Sequence, residues 1–565
     1  MSDNPTASWT TAGSASSHPS LRDHILSALE TVPSAEPLSL TVLSSTPRRT
    51  GSLFPYSAHV PRCLEREYFV TLGSRLESGS DDGVSNSTAN PVVPPPLATE
   101  KPSRPEVLIS ALHAYLYEIP SSSTSILYIS KVDTSGYAPP TARSSTHTLV
   151  TAFIEHFLLP TSRPSRIVQV CLFARSQGQY LFPNSVRSGG KRVAGGLKLC
   201  QWWKGVFEAV TTRVAAAEGA GGQQGNNKEG EKISLRYLLP SYSAAEAAGM
   251  IGRSRVTLPP RLEWAYAPPF PDNIFVPPKG SDEVRVARCL AWSIPALPDD
   301  PKTRFLDELV HDHLPRQAED KSKRTTEVRK QDDDEKVDTE QGGSSEGGQG
   351  VALLDANVTE ALDDVTPAHR SDKPRTTTRD RAQERKETDR RRAQTALSRV
   401  SVDEFWERMG FRQECSSGDV TGFFHLSLES PSTQGNVDHQ RDSEPPSHLN
   451  ETVSSSATPL PPSTALPIAI VDRIHQSLLN CDFGNKGDAI DGTRIWTKST
   501  QAIVRDEIGE RGWEAVTGVV VGKAGVTVDL NAVKRKQEAT VTMLKPRKKA
   551  RPAPVAPSAG ASDSK

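Results

Sequence analysis

The distribution of aromatic residues limits what this chain can fold into. No phenylalanine, tryptophan or tyrosine occurs between Phe305 and Phe405, and residues 321–400 contain 17 basic and 17 acidic residues. A stretch with mixed charge and no aromatic side chains cannot bury enough apolar surface to offset its ordering entropy. We therefore predict a disordered or partly helical insertion here, which divides the folded core into two parts of the sequence.

Other polar stretches set the remaining expected boundaries. Only 35% of the 565 residues are hydrophobic, whereas globular domains have about 45–50%, so we expect a folded core of roughly 300–350 residues. The predicted divisions are a disordered N-terminus (1–20), a core (21–310) with flexible loops at 77–105 and 219–232, a charged disordered insert (311–400), a second part of the core (401–540) with a disordered insert at 428–464, and a basic tail (541–565).

Hydrophobic periodicity predicts alternating strands and helices. Apolar runs predict strands at 67–73, 106–117, 125–132, 166–174 and 283–292, and helical spacing predicts helices at 21–29, 147–159, 198–218, 301–310, 465–479 and 499–513. This alternation is typical of an α/β fold with a central sheet. We expect the C-terminal helices to return and complete the same core.

Charge and short motifs exclude several classes of protein. Lysine and arginine number 67 against 68 acidic residues, which argues against a surface that binds nucleic acid throughout. The six cysteines include no C-x-x-C pair, so neither a disulfide scaffold nor a zinc ribbon is predicted, and we expect no metal. The sequence also contains no P-loop, no apolar run of transmembrane length and no secretory signal, so we expect a soluble intracellular protein.

Two segments contain candidate catalytic residues, each with an ordinary structural alternative. Asp299 and Asp300 lie between two prolines just before a predicted helix, where a carboxylate could accept a proton or simply stabilise the helix N-terminus. The polar loop ARSQGQYLFPNS (174–185) follows a buried strand, the place where open α/β sheets bind ligands, although an ordinary loop is the alternative.

Three further segments are candidates for contacts with phosphate or other anions. Hydroxyl-rich residues in 131–148 precede a helix and could bind phosphate or merely cap it. In SGGKRVAGG (188–196), glycines permit close approach of a ligand, and Lys191 and Arg192 could pair with phosphates. The Trp202–Trp203 pair that follows is more often core, although adjacent helix positions point about 100° apart and one ring could face a cleft. The basic cluster in 542–552 is typical of nuclear import or a polyanion contact.

Together these segments resemble the fungal-specific histone H3 lysine acetyltransferases, the family known for regulating Ty transposition and replication-coupled chromatin assembly. The residues that carry the resemblance are SKVDTSGY (130–137), LFARSQGQYLFPNS (172–185), QWWKG (201–205), PDDPKTRF (298–305), FRQE (411–414) and TMLKPRKKA (542–550). It implies an α/β fold similar to the metazoan CREB-binding-protein acetyltransferases, with a central mixed sheet surrounded by helices, long disordered insertions, and acetyl-CoA in a cleft. RSQGQY (175–180) nearly meets the acetyl-CoA motif R-x-x-G-x-G/A, but Tyr180 fails its last position.

The resemblance also implies roles for individual residues. It implies catalytic roles for Asp300, Asp299, Tyr180, Trp203 and Asp133, with Asp300 as the proton acceptor, and autoacetylation of Lys302. It implies acetyl-CoA contacts by Val132, Asp133, Thr134, Ser144, Thr146, Thr148, Phe173, Arg175, Gln177, Gly178, Arg192, Val193, Ala194 and Trp202. The run 144–148 differs from the family's pyrophosphate loop in its residues and its length.

The chemistry of such a site is physically consistent. A free lysine amine has a pKa near 10.4 and must lose a proton before it attacks a thioester. We expect Asp300 to orient the lysine or accept its proton, Tyr180 and Trp203 to shape the lysine channel, and backbone N–H groups to stabilise the oxyanion. No cysteine is required as a nucleophile, so direct transfer is favoured.

The resemblance further implies a substrate, partners and a location. It implies acetylation of histone H3, within H3–H4 and together with histone chaperones, in the nucleus during nucleosome assembly, DNA replication and DNA repair. Acidic stretches such as 331–340 could attract basic histones through long-range fields. A catalytically inactive chromatin-assembly scaffold that keeps the fold is the main alternative, and a basic-tailed nucleic-acid binder is the second. We expect no membrane association and no direct sequence-specific binding of nucleic acid.

Overall fold

An eleven-stranded sheet forms the centre of the molecule. The computed structural model describes residues 19–34, 36–57, 60–76, 104–220, 231–254, 256–260, 262–270, 274, 289–313, 378–416, 418–431 and 464–523. The strands are β1 (Leu38–Ser45), β2 (Arg48–Thr50), β3 (Cys63–Arg75), β4 (Glu106–Ile119), β5 (Thr124–Thr134), β6 (Ile167–Ala174), β7 (Lys232–Leu238), β8 (Trp264–Tyr266), β9 (Gly422–Glu429), β10 (Ala465–Leu466) and β11 (Thr517–Val520).

The sheet is mixed, as expected. Its order is β10-β1-β3-β4-β5-β6-β9-β7-β8, with β11 paired to β1 and β2 paired to β3. Strands β1, β3, β4 and β5 are antiparallel neighbours, whereas β5 and β6 are parallel. The parallel pair is connected by a helix, which is the connection that parallel neighbours require.

Helices cover both faces of the sheet. They are α1 (Leu21–Leu29), α2 (Ser145–His156), α3 (Gly196–Ala220), α4 (Ala244–Ile251), α5 (Leu290–Ser293), α6 (Pro301–His313), α7 (Thr378–Leu397), α8 (Val402–Met409), α9 (Gln413–Ser416), α10 (Ile468–Leu479) and α11 (Lys486–Val516). Helices α1 to α4 pack on one face, and α5 to α8 lie beside α10 and α11 on the other. None of the helices in the described ranges is long and apolar enough to span a membrane.

Strand β4 shows why the central strands consist of nearly continuous apolar residues in the sequence. Leu112, Ala114 and Leu116 pack into the core on one face, while Tyr117 and Ile119 pack into the core on the other. A strand that is covered on both faces needs apolar residues at nearly every position. The predicted strand at 106–117 is therefore present, and it is extended by two residues.

Strand β9 was not predicted, and it joins the two parts of the core. It pairs antiparallel with β6 on one side and with β7 on the other. The C-terminal part of the chain therefore completes the central sheet. We had expected only its helices to return to the core. Helix α11 packs on β4 and α10 on β3.

The predicted strand at 283–292 is wrong where the structure describes it. Residues 290–293 form the helical turn α5, in which Leu290 and Trp292 are buried; residues 275–288 lie outside the described residues. A short apolar run has the same pattern in a buried helix and in a buried strand, so periodicity could not separate the two.

The insertion predicted over 311–400, disordered or partly helical, is mostly helical where the structure describes it. Helix α6 continues to His313, and α7 covers Thr378–Leu397. Ala393, Ala396, Leu397 and Val400 are buried, at the spacing of one helical face. The charged residues on the rest of the helix mask this apolar stripe in the sequence.

The expected insert at 428–464 begins later, since Leu428 and Glu429 end β9. Most of the other segments predicted to be disordered or flexible lie outside the described residues, namely 1–18, 77–103, 221–230, 314–377 and 432–463. The end of the predicted core (524–540) and the predicted basic tail (541–565) also lie outside them.

Candidate active site

A cavity of about 450 Å³ opens at the carboxyl ends of the parallel strands β5 and β6. Helix α2 connects these strands, and its N-terminus also lies at this edge. The carboxyl ends of parallel strands are the usual ligand site of open α/β sheets. The walls come from the end of β5, the loop after β6, the first turn of α2, residues 191–194 and the first turns of α3.

Most of the predicted site residues meet in this cavity. Those that line it are Val132, Asp133, Thr134, Thr146, Phe173, Arg175, Gln177, Tyr180, Arg192, Val193, Ala194, Trp202 and Trp203. Those that do not line it are Ser144, Thr148, Gly178, Asp299, Asp300 and Lys302. The tyrosine loop and the tryptophan pair thus converge as expected, whereas the two aspartates lie behind or beside the wall.

Asp133 is buried at the end of β5 and organises the loop that follows β6. Its Oδ2 accepts backbone N–H groups from three consecutive residues, 180–182, at 2.7, 2.9 and 3.2 Å. Its Oδ1 accepts the Thr134 N–H at 2.8 Å and the Lys191 ammonium at 2.7 Å. A carboxylate with five donors is occupied, so this geometry gives Asp133 a positioning role.

The loops 133–137 and 185–191 are packed against each other. Lys191 also donates to Ser185 at 2.7 Å, so its charge is used inside the protein and is not available for a phosphate. Gly136 has a φ of 92°, and a Cβ there would lie 2.6 Å from the Lys191 nitrogen. Only glycine fits this close approach.

The tryptophan pair depends on the start of α3. The Gly196 N–H lies 2.8 and 2.9 Å from the two carboxylate oxygens of Asp419, which comes from the C-terminal part of the core. The Trp202 and Trp203 rings meet edge to face with centroids 4.8 Å apart. Trp203 is buried and Trp202 is half-buried, and both face the cavity.

Tyr180 is a neutral hydroxyl in this site. Its side chain donates a hydrogen bond to the Arg175 carbonyl. Burial raises the pKa of Tyr180 to about 12, an effect that nearby Arg175 partly offsets. Tyr180 can therefore donate a hydrogen bond or shape the channel, but it is a poor proton acceptor at neutral pH.

Asp299 is exposed at the turn before α6. Its φ of 55° is in the left-handed region, which aspartate tolerates better than most residues. Its carboxylate lies 2.9 Å from the Lys131 amine, and the hydrogen bond from Lys131 lowers the pKa of Asp299. Because Lys131 lines the cavity, Asp299 is linked to the site through this ion pair.

Asp300 and Lys302 form a buried ion pair. Only 1% of Asp300 and 2% of Lys302 is exposed. Asp300 accepts the Lys302 N–H at 2.9 Å and also its ammonium group. The Lys302 amine lies 4.8 Å from the centroid of the Phe423 ring, which in turn packs 4.6 Å from the ring of Phe173. Phe173 lines the cavity, so two aromatic rings connect this ion pair to it.

The structure adds basic residues for which the sequence analysis gave no role. Arg143 and Lys198 line the cavity with Arg192; all three are exposed, and none has an ion pair within the described ranges. They form a positive rim, at the start of α2 and of α3, that suits a polyphosphate. Their position beside helix N-termini was the signal that could have identified them.

No cysteine is among the residues that line the described cavity. Cys171 and Cys200 are buried, and desolvation raises the pKa of each thiol to about 12. Their protonated, inaccessible thiols are unsuited to nucleophilic attack.

Comparisons with known proteins show which family the chain matches. The model of the histone acetyltransferase KAT11-type domain matches residues 141–499. Histone acetyltransferase rtt109 of Aspergillus flavus is 27% identical over 369 residues, which cover 63% of this chain but 51% of that relative. Histone acetyltransferase rtt109 of Schizosaccharomyces pombe is 23% identical over 405 residues, which cover 71% of this chain and 73% of that relative.

The fold also has a counterpart among solved structures. The crystal structure of Rtt109 from Aspergillus fumigatus superposes with a TM-score of 0.51 at 20% identity. The match covers 88% of this chain and 99% of that structure.

Proposed function

The chain belongs to the family of KAT11-type histone acetyltransferases, and we propose on that basis that it transfers the acetyl group of acetyl-CoA to lysine side chains of histone H3. One observation carries the proposal. A single cavity at the ends of β5 and β6 combines the Tyr180 loop, the tryptophan pair and a positive rim. An inactive scaffold would have no need for this combination.

The residues around the cavity fit acetyl-CoA. We assign its phosphates to Arg143, Arg192 and Lys198, because these exposed cations make no ion pair among the described residues. The first N–H groups of α2 lie at the same edge, and Ser144 does not cap them with its side chain, so they favour negative charge. Bound there, acetyl-CoA supplies an activated thioester.

Transfer requires an amine without its proton. A bond then forms between the amine nitrogen and the acetyl carbon, the C–S bond breaks, and the thiolate takes a proton. Asp299 is exposed beside the cavity wall, and it can attract the substrate ammonium by exchanging its partner Lys131 for that group. Water or Asp300 then accepts the proton.

Asp300 can take that role only after Lys302 has released it. Acetylation of the Lys302 amine would replace its ammonium with a neutral amide and leave the buried Asp300 carboxylate without its counter-ion. We therefore propose that autoacetylation of Lys302 makes Asp300 available. Lys302→Gln should then resemble the modified enzyme, whereas Lys302→Arg should be slow, as compared by initial rates and by mass spectrometry of the modified peptide.

Family membership and the resemblance support a proposal for the substrate and its setting. We propose H3–H4 as the substrate complex, histone chaperones as partners, and the nucleus as the location, with roles in nucleosome assembly, DNA replication and DNA repair. The stretch 331–340 has six acidic residues and one lysine, and we propose that it attracts basic histones. Deleting 321–377 tests this without removing α7; unchanged histone affinity at low salt would refute it.

The test of the whole proposal is transfer from labelled acetyl-CoA to an H3–H4–chaperone complex. Wild-type protein should label H3, and Trp203→Ala and Asp300→Asn should each reduce kcat/KM by about tenfold or more. Absence of labelling by the wild-type protein, with acetyl-CoA still bound, would favour the inactive scaffold. A trapped acetyl-cysteine would overturn direct transfer, and near-normal turnover by Asp300→Asn would remove Asp300 from the mechanism.

A further inference from the structure

Three side chains with metal-binding groups meet outside the cavity. Glu67 lies on β3, His113 on β4 and His475 on α10. Each offers one ligand atom, and these atoms all lie within 4.8 Å of one another. The exposed fractions are 1%, 2% and 4%. We propose that this buried histidine cluster (Glu67, His113 and His475) binds one divalent transition-metal ion, with zinc as the best match.

Hydrogen bonding within the cluster is incomplete. One ring nitrogen of His113, Nε2, lies 2.7 Å from a Glu67 oxygen. The other, Nδ1, has no hydrogen-bond partner among the described residues, and neither does Nε2 of His475. A buried polar atom without a partner costs about 1–3 kcal/mol. A metal ion held by Glu67 and the neighbouring His113 Nε2 would also satisfy the lone pair that His475 Nε2 leaves unused.

The two imidazoles are arranged as neutral groups. Their ring centroids are 4.4 Å apart, with planes inclined at 40°. Two protonated rings at that distance would repel each other in a buried site. Neutral imidazole is the form that binds metal ions, and two histidines with one carboxylate is a known zinc ligand set that leaves a fourth position for water or another group.

The surroundings favour a cation. Asp472 lies one helical turn before His475 on α10, and therefore on the same side of the helix. Burial and the nearby Glu67 charge raise the pKa of Asp472. Two cations act on the cluster as well: Arg48, which pairs with Glu65 at 2.7 Å, and Lys131, which pairs with Asp299 at 2.9 Å. Both cations have carboxylate partners of their own, so Glu67 and Asp472 remain to balance the charge of a divalent ion. Burial raises the pKa of Glu67 to about 7, and metal binding would release any proton that this carboxyl group holds.

The position of the cluster suggests a structural role. It joins α10 to β3 and β4, which otherwise meet through apolar contacts. His113 is the residue opposite Lys131 in the pairing of β4 with β5, next to a register shift. A metal ion here would hold this irregular part of the sheet in place, on the face of the sheet that Lys131 shares.

The experiment measures zinc retained by the full-length chain, prepared without a polyhistidine tag and treated with a chelator. After incubation with zinc and gel filtration, wild-type protein should retain one equivalent, and its Tm should rise. Cobalt in place of zinc should give the visible absorption of a tetrahedral site. His475→Gln keeps a similar volume and removes one ligand, so zinc affinity should fall about tenfold to a hundredfold or more.

His425→Gln is the matched control. His425 is also fully buried, with two unpartnered ring nitrogens, but it does not belong to a ligand cluster within the described ranges. This variant should retain zinc like the wild type. Glu67→Gln provides a second ligand variant in case His475→Gln does not fold, as judged by circular dichroism. No zinc above buffer level in the wild type, or equal retention in folded ligand variants, would overturn the proposal.

Discussion

At the scale of single residues, buried charges in this protein mainly hold other groups in place. Asp133 holds three backbone N–H groups and Lys191, and Asp300 holds Lys302. In the sequence, Asp133 was singled out by the family resemblance alone, and Asp300 by its turn between two prolines and by the resemblance. The sequence could not tell a positioning carboxylate from a proton acceptor, since that difference depends on which donors surround each oxygen.

Asp133→Asn should destabilise the protein and weaken cofactor binding. The change removes the charge that compensates buried Lys191, and breaking one side of a buried ion pair costs about 3–5 kcal/mol. Thermal or urea unfolding measures the loss, and KM for acetyl-CoA should rise because the 180–182 loop is released. Asp299→Asn is the control, because its ion pair is exposed and worth about 0–1 kcal/mol. Equal destabilisation by the two variants would contradict this role.

His425 should make the fold sensitive to acid. Burial, reinforced by the charges of Arg236 and Lys302, lowers the pKa of His425 from 6.5 to about 3. Below pH 6.5 this histidine is protonated in the unfolded chain but stays neutral in the folded state. Its contribution to the free energy of unfolding is therefore fully present above pH 6.5 and is lost as the pH falls towards 3. The loss should reach about 2 kcal/mol between about pH 7.5 and about pH 5.

The measurement for His425 is the free energy of unfolding in urea at several pH values. His425→Gln cannot titrate, so its stability should fall less steeply with acid than that of the wild type. Parallel curves for the two proteins would show that His425 does not carry the effect.

At the scale of elements, helix ends determine the site more than helix interiors do. The first turn of α3 carries Lys198 and leads to the tryptophan pair, and Asp419 from a distant part of the sequence fixes that end. A Cβ on Gly196 would lie 1.9 Å from the Val420 carbonyl oxygen. The helix itself was predictable from its apolar spacing, whereas its capping partner was not.

Asp419→Ala should raise KM for acetyl-CoA severalfold while kcat changes less. Losing a capping side chain costs about 0.5–2 kcal/mol, and the freed helix end would let Lys198 and Trp202 shift. Asn485→Ala is a matched control, because Asn485 caps α11 through the Asp488 N–H and does not line the cavity. We expect the two variants to lose similar stability, and KM for acetyl-CoA to change only in Asp419→Ala. A similar change of KM in both variants would show that the end of α3 does not control cofactor binding.

At the scale of the whole molecule, one sheet is built from both parts of the sequence. Strand β9 lies between β6 and β7, and its Phe424, Leu426 and Leu428 belong to the same core as α2 and α3. The N-terminal part therefore lacks a central strand when it is alone. Unpaired central strands expose hydrogen-bonding groups and apolar side chains together.

A fragment that ends at residue 313 should not fold, although the sequence suggested that 21–310 contains most of the core. It should aggregate or lack a cooperative unfolding transition, whereas co-expression with a fragment covering 378–523 should restore a soluble complex. Size-exclusion chromatography and circular dichroism test both outcomes. A monomeric fragment with cooperative unfolding would contradict the central role of β9.

The sequence by itself determined the α/β class, most helices and several central strands, and the segments that meet in the cavity. Hydrophobic periodicity and polar loops indicate which residues of a segment are buried, and this can be predicted from the neighbouring residues in the sequence. Only the tertiary structure decided that β9 enters the middle of the sheet, that Asp300 pairs with Lys302, and that Glu67, His113 and His475 meet. Each of these pairings depends on which donor, acceptor or strand edge remains unsatisfied after the chain has packed. The paired residues are not marked by any local sequence pattern that would identify them as partners.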